Sequence, residues 1–370
     1  MTTSETRENM TTSSAPAPVS AHMPTSTPHA QQTAQTAGEG MHIVAVDRFY
    51  PADRQMMKAC IPDARFTWLA PKSEHLPADA TAVVGNFPVA AVQELFTAQS
   101  HASAAPAQAS TPRLQLIQLL SAGYDKYMNL ALPQGVVIAN ASGAYDQAVS
   151  EHAFAQLLAL MKNLDQYADL QREHRWQSAG EVRSLVGATV VVLGYGHIGE
   201  AFARLCTAMG AKVFGFRRNP AHSANSAAVA QVVAMDSLAE YLPSADVVMS
   251  FLPSNPQTVG FFDESFFSTM KQGSYFVNAG RGDAVDSAAL QASLRAGHLA
   301  GAALDVTNPE PLPADSSLWD TPRLIITPHV AGGWHLSQSV VNLRNLTMTN
   351  LTHLALGEPV ENVVLPSSRA

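Results

Sequence analysis

A chain of 370 residues, 46% of them hydrophobic and 14% charged, is long enough for two domains of ordinary size, each with its own core. Its formal net charge of −8, without any basic run, gives no general attraction to nucleic acid or an anionic membrane surface, and no apolar run reaches the length of a membrane span. The two cysteines, Cys60 and Cys206, have neither metal nor redox spacing, which fits a reduced cytoplasmic protein.

Residues 1–40 are Thr, Ser, Ala, Pro and Gln with almost no large apolar side chain. They cannot bury enough surface to offset the entropy of ordering and read as a disordered tail, and they lack the apolar core of a signal peptide. Residues 41–143 carry strand-like runs at 42–46, 82–86, 114–120 and 135–140, with a solvated loop expected at 99–112. Strands separated by helix-length spacers imply parallel order. An apolar helix follows at 147–163, so the domain boundary falls just before it, and residues 144–330 form a second unit.

The second unit is arranged around residues 189–218. A β-branched run, Thr189 to Leu193, breaks at Gly194-Tyr195-Gly196-His197-Ile198-Gly199. A helical pattern follows, with Ala201, Leu205 and Met209 on one face and Gly210 closing it, and then a second short apolar run at 213–216. Strand, glycine turn, helix and strand in this order form the frame in which GxGxxG reads as a dinucleotide site. The first glycine permits a tight turn, the second lets the backbone approach a pyrophosphate, and the third allows close helix packing. The helix start offers unpaired N–H groups and a positive dipole end to that phosphate. Further strand-like runs at 232–235, 246–253, 274–280, 300–306 and 324–329 point to a six-stranded dinucleotide fold. A last helix, about 336–356, returns to cover the first unit, so residues 331–370 complete that domain.

Ligands on such sheets gather beyond the carboxyl ends of the strands. Arg281, Asp305, Glu310 and His329 all lie at or just past such ends. Taken singly, they read as a surface cation, a turn cap, a solvated acid and a satisfied core imidazole. Taken together, they supply a carboxylate clamp, a proton donor and that donor's partner. Glu151 and His152, at the start of the long helix, are assigned to packing or a hinge, and Tyr145 and Trp334 either flank the cleft or simply pack. HExxH is absent and the remaining histidines lack ligand spacing, so no metal is expected.

Asn278-Ala279-Gly280-Arg281-Gly282, Leu304-Asp305-Val306 with Glu310-Pro311, and Thr327-Pro328-His329 resemble the three signatures of the D-isomer-specific 2-hydroxyacid dehydrogenase family in order and spacing. Ser121-Ala122-Gly123-Tyr124-Asp125 and Ser150-Glu151-His152 resemble two weaker segments of the same family. The similarity runs from about residue 42 to 364, matching the short form of the family, without an ACT-like extension. It implies two doubly wound parallel-sheet α/β domains, a Rossmann cofactor domain and a flavodoxin-like substrate domain, with the active site between them and a homodimer as the usual assembly.

By residue, the resemblance implies that Arg281 binds the substrate's carboxylate and carbonyl oxygen, His329 gives or takes the proton, and Glu310 pairs with His329 to fix its ring and favour the imidazolium. Asp305 would hold the nicotinamide carboxamide. Gly194, Gly196, His197, Ile198, Gly199, Pro253 and Ala279 would line the cofactor, while Gly85, Asn86, Ala122 and Gly123 would meet the substrate. Where NAD-type relatives place an acid after the second strand, this chain has Arg217 and Arg218. Arginine pairs with a 2′-phosphate where an acid would repel it, so NADP(H) is expected to be preferred, with NAD(H) also possible. The expected activity is hydride transfer between that cofactor and a small 2-oxo or 2-hydroxy acid. The alternative is a corepressor-like NAD(P) sensor on the same fold.

Overall fold

A computed structural model of the chain describes residues 38, 40–103, 113–223 and 226–366. The tail expected at 1–40 lies outside these apart from Gly38 and Gly40, as does the 104–112 part of the expected loop. Residues 99–103 of that loop are instead the end of a helix.

The first unit runs β1 (His42–Val46), α1 (Pro51–Cys60), β2 (Arg65–Leu69), β3 (Ala82–Val84), α2 (Val89–Ser103), β4 (Leu116–Gln118) and β5 (Val137–Ala139). These strands are parallel, and the inner ones are apolar and buried, as strands covered on both faces must be. α3 (Asp146–Met161) and α4 (Leu164–Arg172) lead to the second unit. There β6 (Thr189–Leu193), α5 (His197–Ala208), β7 (Lys212–Arg217), β8 (Gln231–Ala234), α6 (Leu238–Tyr241) and β9 (Val247–Ser250) are followed by α7 (Glu264–Thr269), β10 (Ser274–Asn278), α8 (Ser287–Arg295), β11 (Leu299–Leu304) and β12 (Leu324–Ile326). The chain then returns through α9 (Ser337–Leu356) and β13 (Val363–Leu365).

Among the described residues the strand orders are β13-β5-β4-β3-β1-β2 and β12-β11-β10-β9-β6-β7-β8. The second sheet is wholly parallel and reverses its winding between β6 and β9, the crevice where such sheets bind ligands. It has seven strands, one for each run read in the sequence from 189 to 329 and one more than a six-stranded dinucleotide fold, with β12 as the outer strand beyond β11. The first sheet holds two strands that the sequence did not reveal. β2 is a partly exposed edge strand, and β13 is an antiparallel strand beside β5.

α3 belongs to both units. Val149 near its start packs in the core of the first sheet, whereas Ala153, Leu157, Leu160 and Met161 pack in a core of the second. α9 lies against α1 and β4, with Leu343 and Leu351 in the first core. Polar links fix its register: Arg344 pairs with Asp53 at 2.9 Å, and buried Asn350 donates to Gln118 Oε1 at 2.6 Å. No described helix is long and apolar enough to cross a membrane.

Candidate active site

The buried run of β6 delivers Gly194 to the carboxyl edge of the sheet with φ +83°, a region that favours glycine. A Cβ on Gly194 would also lie 2.7 Å from the Phe251 carbonyl oxygen. Gly196 caps α5 in extended conformation, without a side-chain bond, and a Cβ there would meet no atom within 4 Å. Gly199 approaches the turn so closely that a Cβ would fall 2.8 Å from the Gly194 oxygen. A tight turn, an open backbone position and a close helix contact are what a dinucleotide phosphate requires, so these residues fit that group.

The buried face of α5 is Gly199, Phe202, Ala203 and Cys206, not Ala201, Leu205 and Met209. The close approach at Gly199 sets which face docks, and Met209 is 46% exposed. The N–H groups of Gly194 and Tyr195 both reach the Phe216 carbonyl oxygen, which seats the turn at the end of β7. Arg217 is the last residue of that strand and exposed Arg218 follows it. His197 Nδ1 lies 3.1 Å from Ser142 Oγ, and Ile198 packs against the first core. Pro253 is exposed beyond β9, and Ala279 beyond β10 donates to the Ser250 oxygen at 3.0 Å.

The register aligns Asn278 of β10 with Leu304 of β11, and Leu304 with Ile326 of β12. Arg281, Asp305 and His329 therefore emerge on one rim from three neighbouring strands. Asn278 shapes the exit of β10, accepting from Gly280 N at 3.0 Å and donating to the Arg281 oxygen at 2.9 Å. Arg281 donates through Nε and Nη2 to Asp125 Oδ2 of the first unit, at 2.9 and 2.8 Å, and through Nη1 to the Gly280 oxygen at 2.7 Å.

Asp305 is 2% exposed and holds the loop that carries His329. Its Oδ1 accepts from Thr327 Oγ1 at 2.6 Å and Val330 N at 3.0 Å, and its Oδ2 from Ala331 N at 3.0 Å. His152 Nε2 and Gln156 Nε2 stand 3.0 and 2.9 Å from the same Thr327 hydroxyl, so the start of α3 supports this loop. His329 adopts φ +53°, an uncommon region for a residue with a Cβ and one found at functional positions. Its Nδ1 lies 2.9 Å from Glu310 Oε2, and Glu310 Oε1 accepts from Thr307 N at 3.0 Å. Among the described residues His329 Nε2 has no partner.

Across the cleft, Gly85 and Asn86 follow β3, and Ala122 and Gly123 follow β4. Asn86 accepts from Leu120 N at 2.8 Å and donates to Ser121 Oγ at 2.6 Å, and Ser121 Oγ donates to the Gly123 oxygen at 2.6 Å. Asn140 donates to the Ala122 oxygen at 2.6 Å. These bonds stitch Asn86, Ala122 and Gly123 into one surface, while Gly85 donates to the Gln118 oxygen at 2.9 Å, and Gly123 touches Arg281 directly. The structure brings Glu310 and His329 together as a pair. Gly282, packed on Thr307, joins that pair to Arg281. Tyr145 packs, its hydroxyl donating to the Leu120 oxygen at 2.6 Å, and Trp334 meets Phe49 edge-on at 5.4 Å. Asp125 is the site residue to which the sequence assigned no role. Among the described residues no three His, Cys, Asp or Glu side chains gather as a metal site would require.

Residues 154–331 match the family model described as D-isomer specific 2-hydroxyacid dehydrogenase, NAD binding domain. The D-3-phosphoglycerate dehydrogenase of Archaeoglobus fulgidus is 32% identical over 257 residues, which cover 69% of this chain and 48% of that protein. The chain therefore spans about half the length of that curated relative. A D-isomer specific 2-hydroxyacid dehydrogenase family protein from Aeromonas salmonicida superposes with a TM-score of 0.73 at 29% identity, covering 88% of this chain and 99% of that one. An NADPH-dependent glyoxylate/hydroxypyruvate reductase from Sinorhizobium meliloti, solved with NADP and sulfate, superposes with a TM-score of 0.70 at 26% identity, covering 88% and 98%. With its three signature segments on one rim of a dinucleotide-type sheet, the chain belongs to the D-isomer-specific 2-hydroxyacid dehydrogenase family.

Proposed function

We propose that this chain is an oxidoreductase that transfers hydride between NADP(H), used in preference to NAD(H), and a small 2-oxo or D-2-hydroxy acid. The observation that carries this reading is the Glu310–His329 pair on the same rim as Arg281, at the ends of three adjacent strands of the glycine-turn sheet. A nicotinamide bound there supplies the hydride. Arg281 holds the substrate's carboxylate and carbonyl oxygen, and His329 exchanges the proton with that oxygen through Nε2. Glu310 fixes the ring by its bond to Nδ1. A carboxylate has about four acceptor positions, of which the His329 loop takes three on Asp305. The acceptor position that remains would let Asp305 hold the nicotinamide carboxamide.

The NADP(H) preference rests on Arg217 and Arg218 at the end of β7, where no acid stands, and on the cofactor of the Sinorhizobium reductase. The same proposal divides the chain into 41–143 with 331–370, around the substrate, and 144–330, around the cofactor. It places the protein in the cytoplasm, where the free thiols Cys60 and Cys206 stay reduced, and gives it a homodimer as its assembly. A panel of 2-oxo acids assayed with NADPH and with NADH tests the reading. At least one acid is expected to turn over, with kcat/KM at least tenfold higher for NADPH. An equal or NADH-favouring ratio removes the cofactor preference. A protein that binds the dinucleotide but turns over no 2-oxo acid is the sensor instead.

A further inference from the structure

We propose that Asp125 is a positioning residue: reaching across the cleft, it orients Arg281 so that the outer edge of the guanidinium is presented to a 2-oxo acid. The inference rests on the hydride-transfer reading above and adds to it a residue to which neither the motifs nor the mechanism assigned a role. Asp125 begins a one-turn 3-10 helix, Asp125–Tyr127, in the loop after β4, whereas Arg281 follows β10 in the other sheet.

A guanidinium has five N–H donors. Nε and one Nη2 hydrogen go to Asp125 Oδ2, and one Nη1 hydrogen goes back to the Gly280 carbonyl. The lateral edge and the side facing Arg281's own backbone are then both engaged. The two hydrogens that remain, one on each terminal nitrogen, form the end edge, which matches a carboxylate as a two-pronged fork. Gly123 completes the seat, because a Cβ there would fall 1.7 Å from Nη2 and 3.0 Å from Cζ. No larger residue at 123 lets the guanidinium lie where it does. Both parts of the seat belong to the first unit, so Arg281 is aimed only while the two units are in contact. Arg281 and Asp125 keep 28% and 32% of their side-chain surfaces exposed, so the pair stays within reach of an entering anion.

The test is a double-mutant cycle on kcat/KM for the best 2-oxo acid, with NADPH affinity followed by fluorescence. Asp125→Asn and Gly123→Ala are each expected to raise KM at least tenfold, lower kcat/KM at least thirtyfold and leave NADPH affinity within twofold. In an Arg281→Gln background the same substitutions are expected to change kcat/KM by less than threefold, since there is no guanidinium left to aim. Equal losses in both backgrounds would overturn the inference while leaving the functional reading intact, as would an unchanged or lower KM in Asp125→Asn. Gly123→Ala retains the Asp125 carboxylate, so it reports on the seat even if Asp125→Asn folds poorly. A wild-type protein that turned over no 2-oxo acid would remove both the reading and the inference.

Discussion

His329 combines a left-handed backbone, φ +53°, with a ring held through Nδ1 by Glu310. The two features make separable predictions. Replacing His329 by Ala or by Gly removes the proton donor in either case, and each variant is expected to lose about 10²- to 10⁴-fold in kcat while still binding NADPH. Glycine accepts this backbone without steric cost, so His329→Gly should unfold at a higher temperature than His329→Ala, by the equivalent of about 1 kcal/mol. Turnover retained in both variants would mean that the proton comes from elsewhere. The placement of Arg281 and His329 beyond strand ends was legible in the sequence because each follows an apolar run, whereas Glu310, further along the loop after β11, was singled out with the help of the motif resemblance. Asp125 was not, because its bond to Arg281 spans 156 residues and a local pattern carries no trace of it. The work of His152 was hidden in the same way: its partner Thr327 is 175 residues away.

At the scale of elements, the loops after β3 and β4 are tied down by two buried phenols. Tyr127 donates to the Phe87 oxygen at 2.5 Å and Tyr145 to the Leu120 oxygen at 2.6 Å. Burial pushes both hydroxyls from the ordinary 10 up to about 12. In the folded chain these groups stay neutral where the unfolded chain's tyrosines ionise. Their contribution to stability is therefore fully present below pH 10 and is lost as the pH rises from there toward 12. Unfolding midpoints of the Tyr127→Phe/Tyr145→Phe chain should fall less steeply between those limits than those of the wild type; parallel curves would exclude the two phenols. The glycine turn and its flanking strands were legible because strand, turn and helix there are contiguous. β2 and β13 were not: one is a half-exposed edge strand without a continuous apolar run, and the other is three residues long and takes its register from Ala139 and Ile138, far back in the chain. The docked face of α5 was missed because a glycine, which has no hydrophobic signal, decides it.

At the scale of the whole molecule, the stretch after α3 carries apolar side chains on the surface. Leu164, Tyr167, Trp176, Val182 and Val186 are all at least 36% exposed, and Met209 joins them. Scattered apolar exposure is ordinary, but several such side chains within one stretch of chain suit an interface between copies. Light scattering behind a sizing column is expected to give twice the chain mass, and Trp176→Asp to shift it toward the monomer. A monomeric wild type at micromolar concentration would remove the dimer. α9 was legible as a helix that returns to the first unit. Its seam was not fully legible, because Thr347 and Asn350 are buried beside Leu343 and Leu351 and carry no hydrophobic signal.

α3 has its start embedded in one core and its body in the other. A single unbroken rod anchored at both ends resists sliding of the two halves past each other, so any relative motion is expected to be a rotation about it. The torsion is then expected to fall on the contacts beside the rod, where His197 Nδ1 stands 3.1 Å from Ser142 Oγ and Ala331 is clasped by Asp305. An opening of that kind is expected to resemble a book on its spine: the binding stays whole, the pages part, and the grip between Asp125 and Arg281 is what the parting would undo.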